Sequence, residues 1–268
     1  MTAIVASLLL FASVLPVITT VRHLDVSPKG WCRVDIKFPQ IGGIAPASLE
    51  STIDTGLRER FLDYPESRYG YEDLVHSSTS PTSMTDCEEK MHGSIADLER
   101  RGQTPKTYQA FANRATFRIG FKSVSFVSLV GDGVEVSARQ AYPNTYWWTA
   151  NVDLESGRFL GFDDIFRTDG LHRKRLDELI YASLRREWGN SSPEIATTFK
   201  TGKEARGELQ PLLCPGGIRF ADIFSQHWIA AFSTFVDAHD LIASGVMKDP
   251  RAIDVIRSKG RADSECGI

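Results

Sequence analysis

The sequence predicts an α+β fold in which an antiparallel β-meander sheet has helices packed on it. Three observations lead to this class. Helix-like and strand-like segments are segregated along the chain instead of alternating regularly. Residues 145–154 alternate between apolar and polar side chains with a period of two, which is typical of a half-buried antiparallel strand. Residues 171–188 place their apolar side chains on one helical stripe.

The 268-residue chain has room for one large domain behind an apolar N-terminal segment. Residues 1–20 carry no charged side chain, and the apolar run from Ile4 to Ile18 has the length of a signal-peptide core. We therefore expect a signal peptide at 1–20, a single domain at 21–248 and a polar tail at 249–268. An uncleaved membrane anchor and a buried N-terminal element are the alternatives for the first segment. A signal peptide implies a periplasmic or secreted protein with no stable membrane span after cleavage.

Charge and cysteine usage narrow the partners and cofactors. The net charge is −3 and no basic run stands out, so we expect no nucleic acid partner. The four cysteines form no CxxC pair, so we expect no metal site, and no motif indicates a cofactor. Behind a signal peptide they predict two disulfides, in any of three connectivities, with free buried thiols as the alternative. The cysteines are Cys32, Cys87, Cys214 and Cys266.

The N-terminal half of the domain predicts a strand followed by helices. Residues 32–38 alternate without a fault, which indicates a strand with one solvated face. Residues 46–61 have apolar side chains every four residues and predict an amphipathic helix. Residues 63–83 are polar and turn-rich and are interpreted as a long loop. A second helix is predicted at 85–101, with an apolar face formed by Cys87, Met91, Ile95 and Leu98.

The residues between the second predicted helix and residue 154 predict the β-meander. From Thr107 onward the chain is expected to be β, with alternation at 116–122, an apolar strand at 124–130 and a strand at 134–138, and with Asp132-Gly133 as a hairpin turn before the last of them. The 145–154 strand is then the third or fourth member of the meander.

The C-terminal part of the domain predicts two helical segments and one or two more strands. Residues 162–166 are expected to form a helical turn with Asp163 as its N-cap, followed by the 171–188 helix. The remaining strands are expected within 218–236.

No catalytic residue is predicted, because the sequence lacks a nucleophile elbow, a His-Glu-x-x-His pair, a P-loop and a dinucleotide fingerprint. His239-Asp240 beside Asp237 is a conceivable fragment of a triad or metal site, but adjacent loop residues are poor evidence for one. Asp163-Asp164 are conceivable paired carboxylates, although helix capping explains them more simply.

A cluster of aromatic residues is the candidate ligand-binding surface. Trp147 interrupts the polar face of the 145–154 strand. Together with Tyr142, Tyr146 and Trp148 it would form an aromatic surface for a sugar or a protein, because aromatic side chains dominate binding hot spots. The alternative is that a helix covers Trp147 and makes it part of the core.

The order of these segments resembles a known family. A strand ending in Phe38-Pro-Gln-Ile-Gly-Gly43 precedes a helix, and a later meander leads into the signature at Ala150–Phe166, with Asn151, Asp153, Gly157 and Asp164 at its polar positions. This pattern resembles the extracytoplasmic domain of RsiV-type anti-sigma factors, which also accompanies PdaC-type peptidoglycan deacetylases. Two family motifs are absent from this sequence. Arg139-Gln-Ala-Tyr142 occupies the place of the family's Gly-Gly-Ala-His turn, and Val236–Asp240 occupies the place of its Pro-Tyr-x-x-Gly segment.

The resemblance implies a non-catalytic domain that binds a cell-wall-related protein or glycan, with lysozyme or peptidoglycan as the expected partner. Two other functions remain open. One is a small secreted serine hydrolase that uses His227 or His239, and the other is a purely structural envelope protein. A pocket joining a histidine, a carboxylate and a hydroxyl would favour the hydrolase, whereas an exposed aromatic patch at Trp147 would favour binding.

Overall fold

The structure is a computed structural model that describes residues 15–68, 84–138, 143–189, 209–221, 233–258 and 266. Within these ranges the side chains of 62–68, 84–86, 144, 146 and 221 are not described. The strands form a six-stranded and a three-stranded sheet with helices packed on them, so the predicted α+β class is confirmed. No helix of the described residues is long and apolar enough to cross a membrane.

Six strands form the large sheet in chain order: β1 (Val17–Val26), β2 (Cys32–Gly42), β3 (Phe111–Lys122), β4 (Phe126–Ser137), β5 (Asn144–Asp153) and β6 (Arg158–Phe159). The strands β3 to β6 pair antiparallel in sequence, which confirms the predicted meander. The pair β2–β3 is parallel, because the chain between these strands crosses over through helices.

Three helices in this crossover cover one side of the large sheet, which we call the helical face. They are α1 (Ala47–Arg68), α2 (Met84–Lys90) and α3 (His92–Arg100). The predicted apolar stripe of the first helix is confirmed, since Ile53, Leu57 and Phe61 are fully buried. The Phe61 ring meets the indole of Trp148 edge to face, with 5.3 Å between the centroids. This contact joins α1 to the centre of the sheet.

The C-terminal part of the chain forms a second core. Its strands are β7 (Gln210–Cys214), β8 (Gly217–Ala221) and β9 (Thr234–Asp237), and its helices are α4 (Phe162–Ile165), α5 (Gly170–Trp188), α6 (Ala238–Ala243) and α7 (Pro250–Arg257). The predicted 171–188 helix is confirmed as α5, with Leu176, Ile180 and Leu184 fully buried. Phe166 stacks on Phe220 of β8 with 5.7 Å between the ring centroids.

All four cysteines are paired, which resolves the connectivity that the sequence leaves open. Cys32 of β2 bonds to Cys87 of α2, and Cys214 of β7 bonds to Cys266. No free cysteine remains, so the alternative of buried thiols is wrong. The first bond fastens the helical layer to the large sheet, and the second fastens residue 266 to the small sheet.

The predicted turn at Asp132-Gly133 is wrong. Both residues lie in the middle of the twelve-residue strand β4, paired with β3 on one side and β5 on the other. The chain reverses earlier, at residues 123–125. There the hydroxyl oxygen of Ser123 accepts the backbone N–H of Phe126 at 3.0 Å. Two-sided strand pairing therefore overrides the local turn preference of the Asp-Gly pair.

The helix boundaries also differ from the predictions. Helix α1 continues to Arg68, so 63–68 is helical and not part of a loop, and 69–83 lies outside the described residues. The helix predicted at 85–101 is interrupted at Met91 into α2 and α3. At the other end of the chain, residues 250–257 form α7 and not a polar tail, because Ala252, Val255 and Ile256 are buried in the second core.

The predicted N-cap of α4, Asp163, is wrong, because the N-cap is Gly161. Asp164, and not Asp163, is the capping carboxylate: its Oδ2 accepts the backbone N–H of Gly161 at 2.9 Å. The helix begins at Phe162, two residues earlier than an N-cap at Asp163 implies, which places Asp164 at the third helical position, where a carboxylate reaches back to the N-cap.

Candidate ligand-binding face

The side of the large sheet that faces away from the helices is partly open. Facing residues of paired strands point to the same side of a sheet, so the strand register defines two rows of side chains there. The first row is Val26, Arg33, Ala112 and Val136, and the second is Leu24, Asp35, Arg114 and Val134. We call these eight residues the open face. Its apolar members include Leu24, Val26 and Val134, which are 47%, 43% and 39% exposed.

The small sheet covers the remainder of this side. The backbone of β7 lies over β4 and β5, where Ser128 and Asn151 are almost fully buried. Both side chains accept the backbone N–H of Leu213, at 3.1 and 3.2 Å. The polar side of the 145–154 strand is therefore hydrogen-bonded and dry, and the expectation of a solvated side is wrong for this end of the strand.

A groove of 1240 Å³ runs along the first row of the open face. Its floor contains Ala112, Val134 and Val136, and its walls are the β1–β2 turn at residues 27–30 and the loop at residues 104–109. The walls meet at Gly30, which has a φ of 82° and where a Cβ would lie 3.3 Å from the Cβ of Pro105. Glycine suits this position both by its backbone conformation and by this close approach.

Glu88 of α2 holds the first wall from behind. Its Oε1 accepts a hydrogen bond from the hydroxyl of Ser27 and from the backbone N–H groups of Lys29, at 3.0 Å, and Trp31, at 3.3 Å. The carbonyl of Trp31 in turn accepts the N–H of Ala110, next to the second wall, at 2.9 Å. Because the Cys32–Cys87 bond adjoins this network, the groove walls are fixed before any ligand binds.

The described residues that line the groove carry four cations and no carboxylate: Lys29, Arg33, Lys106 and Arg114. Arg33 is paired with Asp35, at 2.8 Å between Nη2 and Oδ2. Among the described residues, the other three cations have no carboxylate oxygen within 4.0 Å. Hydrogen bonds from Arg22 and Arg33 hold the pKa of Asp35 well below its usual range, so this carboxylate is ionised and already neutralised by its neighbours.

A second hollow of 410 Å³ adjoins the groove and shares Arg114 and Val134 with it. It contains Asp132, whose pKa burial raises above the usual value, while the guanidinium of Arg118, 3.8 Å away, opposes the shift. The cationic part of the surface therefore ends at a carboxyl group that is harder to ionise than an exposed one.

The structure separates the predicted aromatic residues. Trp148 is 1% exposed and packs under α1, so its assignment to a binding surface is wrong. Trp147 is half-buried, points away from the helical face and pairs with Asp132 across β4 and β5. Tyr142 and the side chain of Tyr146 lie outside the described residues. Trp147, Tyr142 and Tyr146 therefore stay predictions for ligand contact.

Sequence reasoning missed the residues that line the groove. Lys106 and Tyr108 lie in Thr104-Pro-Lys-Thr-Tyr108, a turn-rich segment between a predicted helix and a predicted strand. Its combination of turn residues, a cation and an aromatic residue is a weak signal for a binding loop. Arg114 lies in strand β3, within the region from Thr107 onward that the sequence predicts as β, but that it lines one groove with Lys29 becomes visible only in the structure.

The candidate catalytic residues do not form a constellation. His239 lies 3.3 Å from Oδ1 of Asp240, but its side chain is 90% exposed. His227 lies outside the described residues. In the described part of the chain, no three histidine, cysteine, aspartate or glutamate side chains are grouped so as to hold a metal ion.

Two solved structures share this fold. A DUF3298 family protein from Pseudomonas aeruginosa PAO1 has a TM-score of 0.52 and 14% identity, over 88% of this chain and 95% of that one. A member of the same family from Bacteroides fragilis NCTC 9343 has a TM-score of 0.58 and 13% identity, over 91% and 98%. No protein-family model and no curated protein matches the chain. The chain thus has the fold of DUF3298 proteins, the family that includes RsiV-type domains.

Proposed function

We propose that this protein is a secreted or periplasmic, non-catalytic domain that binds a cell-envelope ligand on its open face. The main support is the 1240 Å³ groove, whose walls Glu88 and the Cys32–Cys87 bond hold in place. Ligand sites are usually preformed concave surfaces of this kind. The two disulfides fit an oxidising compartment.

Peptidoglycan is the first candidate ligand and lysozyme is the second. Both follow from the resemblance to RsiV-type domains. The cations Lys29, Lys106 and Arg114 favour peptidoglycan, because its stem peptides carry carboxylates and complementary charge attracts a ligand to its site. The serine hydrolase gains no support, since the described histidines are not joined to a carboxylate and a hydroxyl in a pocket.

A binding assay with the full chain tests this proposal. Protein exported to the periplasm, with its disulfides formed, is incubated with insoluble peptidoglycan sacculi and, separately, with immobilised lysozyme. We expect the protein to sediment with the sacculi, and we expect Arg114→Glu to reduce this binding while Lys122→Glu leaves it unchanged. Lys122 is a matched control, because it is an exposed cation on the same strand but does not line the groove. Binding to neither partner contradicts the proposal.

A further inference from the structure

We infer that the groove recognises an acidic glycan whose carboxylates contact Lys29, Lys106 and Arg114, with a sugar ring packed against Tyr108. This inference rests on the proposed function and adds to it the chemistry of the ligand and the residues that select it.

The first argument is the convergence of charge. Lys29 comes from the β1–β2 turn, Lys106 from the loop before β3, and Arg114 from β3 itself, and all three line one groove. The only carboxylate of the open face, that of Asp35, lies within hydrogen-bond distance of Arg33 at 2.8 Å and of Arg22 at 2.6 Å. The groove therefore presents a positive surface. The guanidinium fork of Arg114 suits a planar carboxylate.

The second argument concerns the remaining lining, which favours a glycan over a peptide. Tyr108 is 43% exposed and offers an aromatic ring with a polar edge at the groove wall. Thr104, Thr107 and Gln109 add hydroxyl and amide groups around it. The floor is formed by the small apolar side chains of Ala112, Val134 and Val136 on adjacent strands of the sheet. Such a surface fits a hydroxyl-rich sugar ring that carries an acidic substituent.

The third argument is that the groove is rigid. The Thr107 hydroxyl accepts the N–H of Thr104 at 3.1 Å, and the N–H of Tyr108 donates to the Thr104 carbonyl at 2.8 Å. These bonds close the 104–108 turn on itself. Together with the bonds to Glu88 in the opposite wall, they reduce the conformational entropy that the groove walls lose when a ligand binds.

Calorimetric titration of the full, oxidised chain tests the inference with two matched ligands. One is a preparation of soluble peptidoglycan fragments, and the other is the same preparation with its carboxylates converted to amides. We expect the native fragments to bind with an affinity that falls as sodium chloride is raised, and the amidated fragments to bind at least about ten-fold more weakly. Lys106→Gln and Arg114→Gln should each weaken binding about five-fold, the size of one exposed ion pair.

Two further variants complete the design. Tyr108→Ala should weaken both native and amidated fragments by a similar factor, because it removes ring contact and not charge. Lys122→Gln should leave the affinity unchanged, since it removes the same charge from β3 outside the groove. Near-ultraviolet circular dichroism of every variant establishes that the fold is intact.

The outcomes separate this inference from the proposed function. Equal affinity for native and amidated fragments overturns the inference and leaves a glycan-binding function in place. No binding of either preparation overturns the inference, and if the protein also fails to bind lysozyme the proposed function is overturned with it. Binding of poly-glutamate as tight as that of the native fragments overturns the assignment to a glycan, because it makes an acidic peptide the better ligand.

Discussion

The side-chain amide of Asn151 on β5 donates through Nδ2 to the carbonyl of Pro211 on β7 over 2.7 Å. Its Oδ1 accepts the backbone N–H of Leu213 at 3.2 Å and the hydroxyl of Ser128 at 2.5 Å. One side chain therefore satisfies three polar groups at the contact between the two sheets. Asn151 also belongs to the signature that carries the family resemblance, which gives that signature a structural meaning.

We expect Asn151→Ala to lower the free energy of unfolding by about 2–3 kcal/mol, because it leaves buried polar groups without partners. Urea denaturation measures this change. Thr116→Ala, which removes an exposed polar side chain from β3 of the same sheet, is the control and should change stability by less than about 0.5 kcal/mol. If the two variants are equally stable, Asn151 does not join the sheets in the way described.

The two disulfides should be equally important for stability but unequal for binding. They close loops of similar length, with sequence separations of 55 and 52, so removing either one should lower stability by about 4 kcal/mol. Only the Cys32→Ala/Cys87→Ala variant should also weaken ligand binding, because this bond adjoins the turn that Glu88 holds.

Non-reducing peptide mapping of the exported protein checks the pairing first, and calorimetry with peptidoglycan fragments then compares the two double variants. The Cys214→Ala/Cys266→Ala variant is the control for lost stability, because its bond lies in the small sheet. A cross-link between Cys32 and Cys214, or weaker binding in both variants alike, would contradict this prediction.

The pH dependence of stability should differ between two carboxyl groups on the same side of the sheet. Hydrogen bonds, chiefly from Arg22, lower the pKa of Asp35 in the folded state. Its contribution is therefore present above the unfolded-state pKa of about 3.9 and is lost as the pH falls through the folded-state pKa. We expect Asp35→Asn to be less stable than the wild type at pH 7, with the difference narrowing below about pH 4.

The pKa shift of Asp132 should change the pH dependence of stability in the opposite direction from that of Asp35. Burial raises its pKa, so ionisation in the folded state is unfavourable and the penalty grows as the pH rises above about 3.9. Asp132→Asn should therefore be more stable than the wild type at pH 7 and equally stable at pH 3. Thermal unfolding of both variants between pH 3 and pH 7 measures how each stability difference from the wild type changes with pH. If both differences change in the same direction, the opposite pKa shifts of Asp35 and Asp132 are refuted.

The mature N-terminus should lie at or before Val17 if the predicted signal peptide is removed. Residues 17–20 pair with Pro39–Gly42 in the β1–β2 ladder, so cleavage after Thr20 would shorten this ladder. Intact-mass measurement of the exported protein locates the cleavage site. A mature chain beginning at Val21 would be inconsistent with the full-length strand β1.

Elements with one buried and one exposed side were predictable from the sequence. The alternation at 32–38 and the stripe of α5 reproduce the observed burial because each pattern needs only local periodicity. The Asp132-Gly133 turn failed because β4 is paired on both sides, and pairing partners are not visible in local sequence. Trp148 was misassigned for the same reason, since its burial depends on Phe61 of a distant helix.

The candidate site was beyond sequence reasoning because its parts are far apart in the chain. Lys29, Lys106 and Arg114 come together only through the parallel β2–β3 pair, which follows from a crossover and not from a turn. The contact between Asn151 and Leu213 likewise spans 62 residues. Periodicity identifies which side of a strand is polar, but the packing of a second sheet decides how much of that side is open to a ligand.

In the described part of the chain, β1 is an outer strand of the large sheet, and it carries the charged side chains Arg22 and Asp25. An unpaired outer strand offers its backbone to strands of other molecules, and charges along it oppose such pairing. Arg22 is held in place by two bonds to Asp35, at 2.6 and 2.7 Å. The charges on this strand, which supplies one edge of the open face, therefore oppose edge-to-edge pairing of the large sheet with other molecules.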